Sequence, residues 1–130
     1  LGELEDNAHA MFRLKGGAVA QLHVSMTQWK NLFSFEVFGE TGSLAAEGLG
    51  GSYGVERLVR TRRRLEGGVP EVDAVEFAGP DHSWEREWDD LMTAVAGGEL
   101  RHGGVEDGEA AMRMIDALYR SARSGGIVTV

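Results

Sequence analysis

There is no cysteine anywhere in this 130-residue chain. That excludes a disulfide framework, a thiolate metal site and a cysteine nucleophile, and it is compatible with a reducing compartment. No apolar run approaches the ~20 residues that a membrane-spanning helix needs. Positive charge is also short: 13 Lys and Arg stand against 21 Asp and Glu, a formal net charge of −8, with a pI near 4.9. That balance works against non-specific binding to nucleic acid or anionic membranes, both of which need a positive surface. The first residues, Leu1-Gly-Glu-Leu-Glu-Asp6, are acidic, unlike a secretory signal. No internal repeat or low-complexity stretch is present, and 42% hydrophobic residues is ordinary for a globular domain. The expectation is a cytoplasmic protein of one domain, residues 1–130, with no nucleic-acid or membrane partner. Without an initiator methionine at Leu1, it is expected to be cut from a longer polypeptide.

What is there begins with strands. Asp6 to Lys15 and Ala18 to Trp29 flank Gly16-Gly17, a pair suited to a two-residue hairpin turn with positive φ at both central positions. That turn would pair Lys15 with Ala18, Arg13 with Ala20, Met11 with Leu22 and His9 with Val24. The other face would then carry Ala8, Ala10, Phe12, Leu14, Val19, Gln21, His23 and Ser25. Both faces would be substantially apolar, whereas a sheet with one wet face alternates more cleanly. Leu32 to Phe38 is the next strand, and Gly39-Glu-Thr-Gly42 turns it into Ser43 to Leu49. After a glycine cluster (Gly48, Gly50, Gly51, Gly54), Glu56 to Leu65 and Asp73 to Phe77 are further strands, separated by Gly67-Gly68-Val69-Pro70.

Helices come second. Ser83 can cap a helix with apolar positions Trp84, Trp88, Leu91, Met92 and Val95, ending at Gly97-Gly98. A second helix has acids at its start (Glu106, Asp107, Glu109) and arginines at its end (Arg120, Arg123), the arrangement the helix dipole favours. Ala111, Met114, Ile115, Leu118 and Ala122 fall on one of its faces. Gly125-Gly126 stops it, and Ile127-Val-Thr-Val130 reads as a closing strand. Strands grouped before helices define an α+β fold: a mainly antiparallel sheet of about six or seven strands with two helices on one face. Two helices can cover one face only. The other would leave a large apolar patch, so a homo-oligomer through the sheet face is expected.

Three stretches carry a family resemblance. The hairpin from Asp6 to Ser25, the corner Glu36-Val-Phe-Gly-Glu-Thr-Gly-Ser-Leu44, and the ending from Trp84 through Gly97-Gly98-Glu99 to Tyr119-x-Ser121 follow one another in order. Together they resemble the C-terminal domain of the glucose-fructose oxidoreductase/inositol dehydrogenase (Gfo/Idh/MocA) family. Members of that family have an N-terminal Rossmann domain that binds NAD or NADP, followed by an α+β domain that shapes the substrate site and mediates oligomers. The resemblance implies a polyol, sugar or cyclitol substrate and NAD or NADP in the parent protein. These residues contain no G-x-G-x-x-G after an opening strand. They also lack the family's Glu-Lys-Pro segment with its catalytic lysine and the Asp-x-x-x-His pair used for proton transfer. No catalytic residue and no cofactor are therefore expected in this piece. The alternative reading is a stand-alone, non-catalytic dimeric α+β module that binds a small ligand or only itself.

Candidate site residues follow from the resemblance and from composition. Trp29, Lys30 and Asn31 break the strand pattern where family members place substrate-facing residues, and His82 and Trp84 match a second such region. Trp29, Asn31, His82 and Trp84 are the substrate-binding candidates, since aromatic faces with amide and imidazole hydrogen bonds suit a polyhydroxylated ligand. The competing reading makes Trp84 a core residue stacked one turn from Trp88, and Trp29 a partly buried strand end. Gly48 to Gly54 looks like a phosphate loop but leads into a strand, not a helix. Arg57, Arg60, Arg62, Arg63 and Arg64 read as a solvated edge strand before they read as an anion site. In the inferred register His9 and His23 point to opposite faces, so no shared metal is expected. Ser25, His23 and Asp6 have no elbow or oxyanion-hole context for a catalytic triad.

Overall fold

Two compact units make up the chain in a computed structural model that describes residues 5–99 and 103–130. One unit runs through Val24 and resumes with His82–Val130; the other is Ser25–Asp81. Among the described residues, six strands and two helices appear in the expected order: β1 Asn7–Arg13, β2 Val19–Ser25, β3 Ser34–Phe38, β4 Gly42–Glu47, β5 Arg57–Arg62, β6 Glu71–Glu76, α1 Ser83–Val95 and α2 Val105–Ser124. The fold is α+β. Its strands divide into a two-stranded sheet, β1-β2, and a four-stranded antiparallel sheet in the order β3-β4-β5-β6. Ile127 to Val130 does not form the expected closing strand, and Ile127 is fully exposed. An extended segment becomes a strand only when a neighbour accepts its backbone groups.

The first hairpin departs from its expected register by one residue, and the cause is the turn. Gly17 N–H donates to Leu14 O and Leu14 N–H donates to Ala18 O, both at 2.9 Å. The loop is therefore Lys15-Gly16-Gly17, with Gly17 alone at positive φ (88°). This is the three-residue connection whose third residue is left-handed. Leu14 consequently faces Ala18, and counting outward pairs Arg13 with Val19, Met11 with Gln21, and His9 with His23. The slip moves one strand's side chains to the other face. Ala8, Ala10, Phe12, Ala20, Leu22 and Val24 now share one face, where Ala10 and Phe12 are half-buried. His9, Met11, Arg13, Val19, Gln21 and His23 share the other. The hairpin has the clean alternation of a sheet with one wet face, so the expectation of two apolar faces does not hold.

The four-stranded sheet keeps a single register throughout. Phe35 faces Ala46, which faces Leu58, which faces Val75; Val37, Leu44, Arg60 and Asp73 form the next row on that face. Backbone bonds from Gly48 to Phe33 and from Phe77 to Glu56 continue the ladder at one end. One half of this face is apolar and open, with Phe35, Val37, Leu44, Leu58, Val75 and Phe77 all between 40% and 63% exposed. The corner between β3 and β4 depends on Gly42, where a Cβ would lie 2.1 Å from the carbonyl oxygen of Thr61 on β5. No side chain fits there, which gives a physical reason for the second glycine of the corner motif.

The helix ends follow ordinary capping rules. In α1, Gly97 N–H bonds Ala94 O and Gly98 N–H bonds Thr93 O, the paired closure of a Schellman stop. Its N-cap is His82 rather than Ser83, and no side chain caps it. At the start of α2 the Asp107 carboxylate accepts the Gly104 N–H at 2.9 Å. At its end Gly125 is left-handed and donates to Ser121 O. Ala117, 4% exposed, is the buried residue of this helix, flanked by the half-buried Leu118 and Ser121.

Candidate functional site

Trp29 lies in the loop between β2 and β3 and is the one described non-glycine residue with positive φ, 54°. A left-handed backbone at a tryptophan costs about 1–2 kcal/mol, because Cβ crowds the following carbonyl. The indole gains no burial in return: it is 94% exposed. Trp29 is therefore not the partly buried strand end of the competing reading. Backbone strain of this kind clusters at functional sites. Asn31, two residues on, is also exposed.

His82 and Trp84 stand at the start of α1, in the other unit. His82 Nδ1 lies 2.7 Å from Glu85 Oε2, so the first turn of the helix holds the imidazole in place. Trp84 is 78% exposed and Trp88 60%, so neither ring serves as a core residue within its unit. The four candidates thus form two pairs of open aromatic and polar groups, Trp29 with Asn31 in one unit and His82 with Trp84 in the other.

The glycine cluster does not present a phosphate cradle. Gly50 N–H already donates to the Glu56 carboxylate at 2.7 Å, Ser52 N–H to Gly50 O, and Tyr53 N–H to Leu49 O. A phosphate would have to displace a carboxylate supplied by the loop's own chain. The loop leads into β5, with no helix N-terminus to hold an anion.

The arginine cluster reads differently from expectation. β5 is an interior strand of the sheet, not an edge. Arg57 pairs with Glu47 on β4, Arg60 with Asp73 at 2.6 Å, and Arg62 and Arg64 both with Glu71. Cross-strand carboxylates thus engage four of the five guanidinium groups, which argues against an anion-binding surface. The Arg60 guanidinium hydrogen-bonds Asp73 and holds its carboxyl below the usual range. Elsewhere, Tyr119 donates its hydroxyl to Glu5 Oε2 at 3.0 Å, and that acceptor, with its charge, raises the phenol pKa. A shallow groove beside α2, lined by Glu109, Met112, Arg113, Asp116, Arg120 and Val130, contains the ion pairs Arg113–Glu109 and Arg120–Asp116.

No three or more His, Asp or Glu side chains converge on a possible metal position among the described residues. His9 and His23, however, do not point to opposite faces. Their rings stack with centroids 4.1 Å apart and planes 10° apart, as the one-residue register slip requires. Sequence reasoning missed this pair because it placed the turn on Gly16-Gly17. The signal was available, since only the three-residue turn separates apolar from polar positions. His102 lies outside the described residues. The three groups considered as a triad have other partners: Ser25 Oγ lies 3.3 Å from Thr27 Oγ1, Asp6 accepts from Asn7, and His23 stacks on His9.

The described residues form an α+β domain with open aromatic positions and a glycine loop whose Gly50 N–H is engaged by the loop's own carboxylate. Its sequence matches, over residues 1–130, the family described as "Oxidoreductase family, C-terminal alpha/beta domain". The chain belongs to that family, the Gfo/Idh/MocA oxidoreductases, as their C-terminal domain. No curated protein and no solved structure matches it. Among the described residues, no helix is long and apolar enough to cross a membrane.

Proposed function

We propose that this chain is the substrate-binding and oligomerisation domain of a cytoplasmic NAD(P)-dependent oxidoreductase acting on a sugar, cyclitol or related polyol. The observation that carries this reading is the family match across the whole chain. The cofactor performs the hydride transfer, and the groups that bind it and move the proton belong to the parent protein outside these residues. This domain contributes shape and orientation. Each unit offers an aromatic face for the C–H side of a polyol and a hydrogen-bonding group for its hydroxyls: Trp29 with Asn31 in one, Trp84 with His82 in the other. The His82–Glu85 contact supports that role by fixing the imidazole. Self-association uses the open apolar half of the four-stranded sheet. Its six exposed side chains offer roughly 500–600 Å² of apolar surface, at the upper end of what a monomer leaves bare.

Substrate kinetics on the parent enzyme test the reading. Trp29→Ala and His82→Ala should each raise KM for the polyol by about tenfold, the value of ~1.4 kcal/mol of lost contact, and leave nicotinamide binding unchanged. Wild-type KM in both variants would remove these residues from the substrate site.

A further inference from the structure

We propose that His9 and His23 form a surface chelate for a divalent late transition-metal ion, with copper(II) the best fit and nickel(II) and zinc(II) weaker. The oxidoreductase reading plays no part in this inference. Three observations support it. First, the register set by the Leu14–Ala18 bond puts His9 and His23 directly opposite one another. Hydrogen-bonded pairs alternate along an antiparallel ladder, so counting from Leu14–Ala18 makes this a non-hydrogen-bonded pair, where opposed side chains come closest. The stacked rings, 4.1 Å between centroids, are the direct result. Second, both residues are exposed, and among the described residues neither ring has a hydrogen-bond partner, whereas His82 is held by Glu85. Third, Met11 and Gln21 form the next pair on that face, so neither a positive charge nor a bulky aromatic stands beside the rings on the turn side.

The geometry needs little change to bind. A metal–imidazole bond is about 2.0–2.1 Å, so two donor nitrogens on one ion lie no more than about 4 Å apart. The ring centroids, 4.1 Å apart, are already near that separation. Rotation about the side-chain torsions that unstacks the rings and turns their nitrogen edges toward each other brings the two lone pairs onto one point. The strands are fixed by their ladder, so the backbone loses no further freedom on binding. Water completes the coordination sphere. Two imidazoles with water favour copper(II) over nickel(II) and zinc(II), because affinity for nitrogen donors rises to copper along the first-row series.

Calorimetric titration of the untagged full chain with copper(II) at pH 7.5 tests the site. One saturable equivalent is expected, with affinity falling at least about tenfold in His9→Ala and in His23→Ala and unchanged in His82→Ala. Wild-type affinity in either of the first two variants, or no saturable binding at all, overturns the proposal. Electron paramagnetic resonance of the wild-type copper complex reads the donor set without any substitution. Hyperfine coupling from two imidazole nitrogens is expected, and one or none overturns it.

Discussion

Replacing Gly42 by alanine tests how closely the start of β4 packs against β5 in the four-stranded sheet. The added Cβ would meet the Thr61 carbonyl oxygen at 2.1 Å, with the Thr61 carbonyl carbon at 3.2 Å and the Arg62 Cα at 3.3 Å. Carbon–oxygen contacts in sheets close at about 3.3 Å, so β4 and β5 would have to separate locally by roughly 1 Å. All three atoms are backbone, and no side chain can rotate away. Two bonds at this corner are at risk: Gly39 N–H to Gly42 O and Arg63 N–H to Thr41 O, each 2.8 Å. Losing part of both costs about 1 kcal/mol apiece, and forced overpacking adds ~1–3 kcal/mol. The expected destabilisation is therefore about 3–5 kcal/mol, a drop of roughly 1.5–2.5 M in the urea midpoint followed by far-UV circular dichroism. Gly39→Ala is the control. Its Cβ would meet only Gly42 O, at an ordinary 3.5 Å, so it should shift the midpoint far less. Equal effects in the two variants, or a Gly42→Ala chain as stable as wild type, would refute the packing argument.

The remaining predictions concern charge and assembly. Asp73 has its pKa lowered chiefly by the hydrogen bond from Arg60, so the pair's contribution is present above the ordinary carboxylate range and is lost as pH falls through the lowered value. Arg60→Ala should return Asp73 to the ordinary range in a carboxylate NMR titration; an unmoved titration would exclude Arg60 as the cause. Light scattering at micromolar concentration should find a dimer that Leu58→Glu, on the open half of the sheet, converts to monomer, whereas Trp88→Glu on α1 does not. A wild-type monomer near 14 kDa would remove the sheet face from the assembly.

Much of the fold was legible because local chemistry decided it. The six strands and two helices of the described residues all overlap the expected segments, with β4 and β6 starting one and two residues ahead of them, since most boundaries are marked by glycines or by a change of hydrophobic period. Gly42 and the Gly97-Gly98 stop are marked in the sequence and have clear structural causes. Features that depend on a partner were not legible. Whether Ile127–Val130 forms a strand depends on a neighbour's free backbone, which no local pattern encodes. The arginines of β5 looked like the guard of an edge because their partners, Glu47, Asp73 and Glu71, come from both flanking strands. A single residue of turn length turned the hairpin from two mixed faces into one apolar and one polar face, and brought His9 onto His23. At the candidate site, exposure of Trp29 and Trp84 came only from the structure. The left-handed backbone at Trp29 has no sequence signal, because tryptophan is not a residue that favours it.

The central claim is that this domain serves a nicotinamide-dependent oxidoreductase without itself binding the nicotinamide nucleotide. Fluorescence titration of the 130-residue chain with NADH and NADPH, followed by an assay for polyol dehydrogenase activity, tests it most directly. The account predicts no saturable binding and no turnover from this chain. Micromolar affinity for either nucleotide, or measurable hydride transfer, would contradict it.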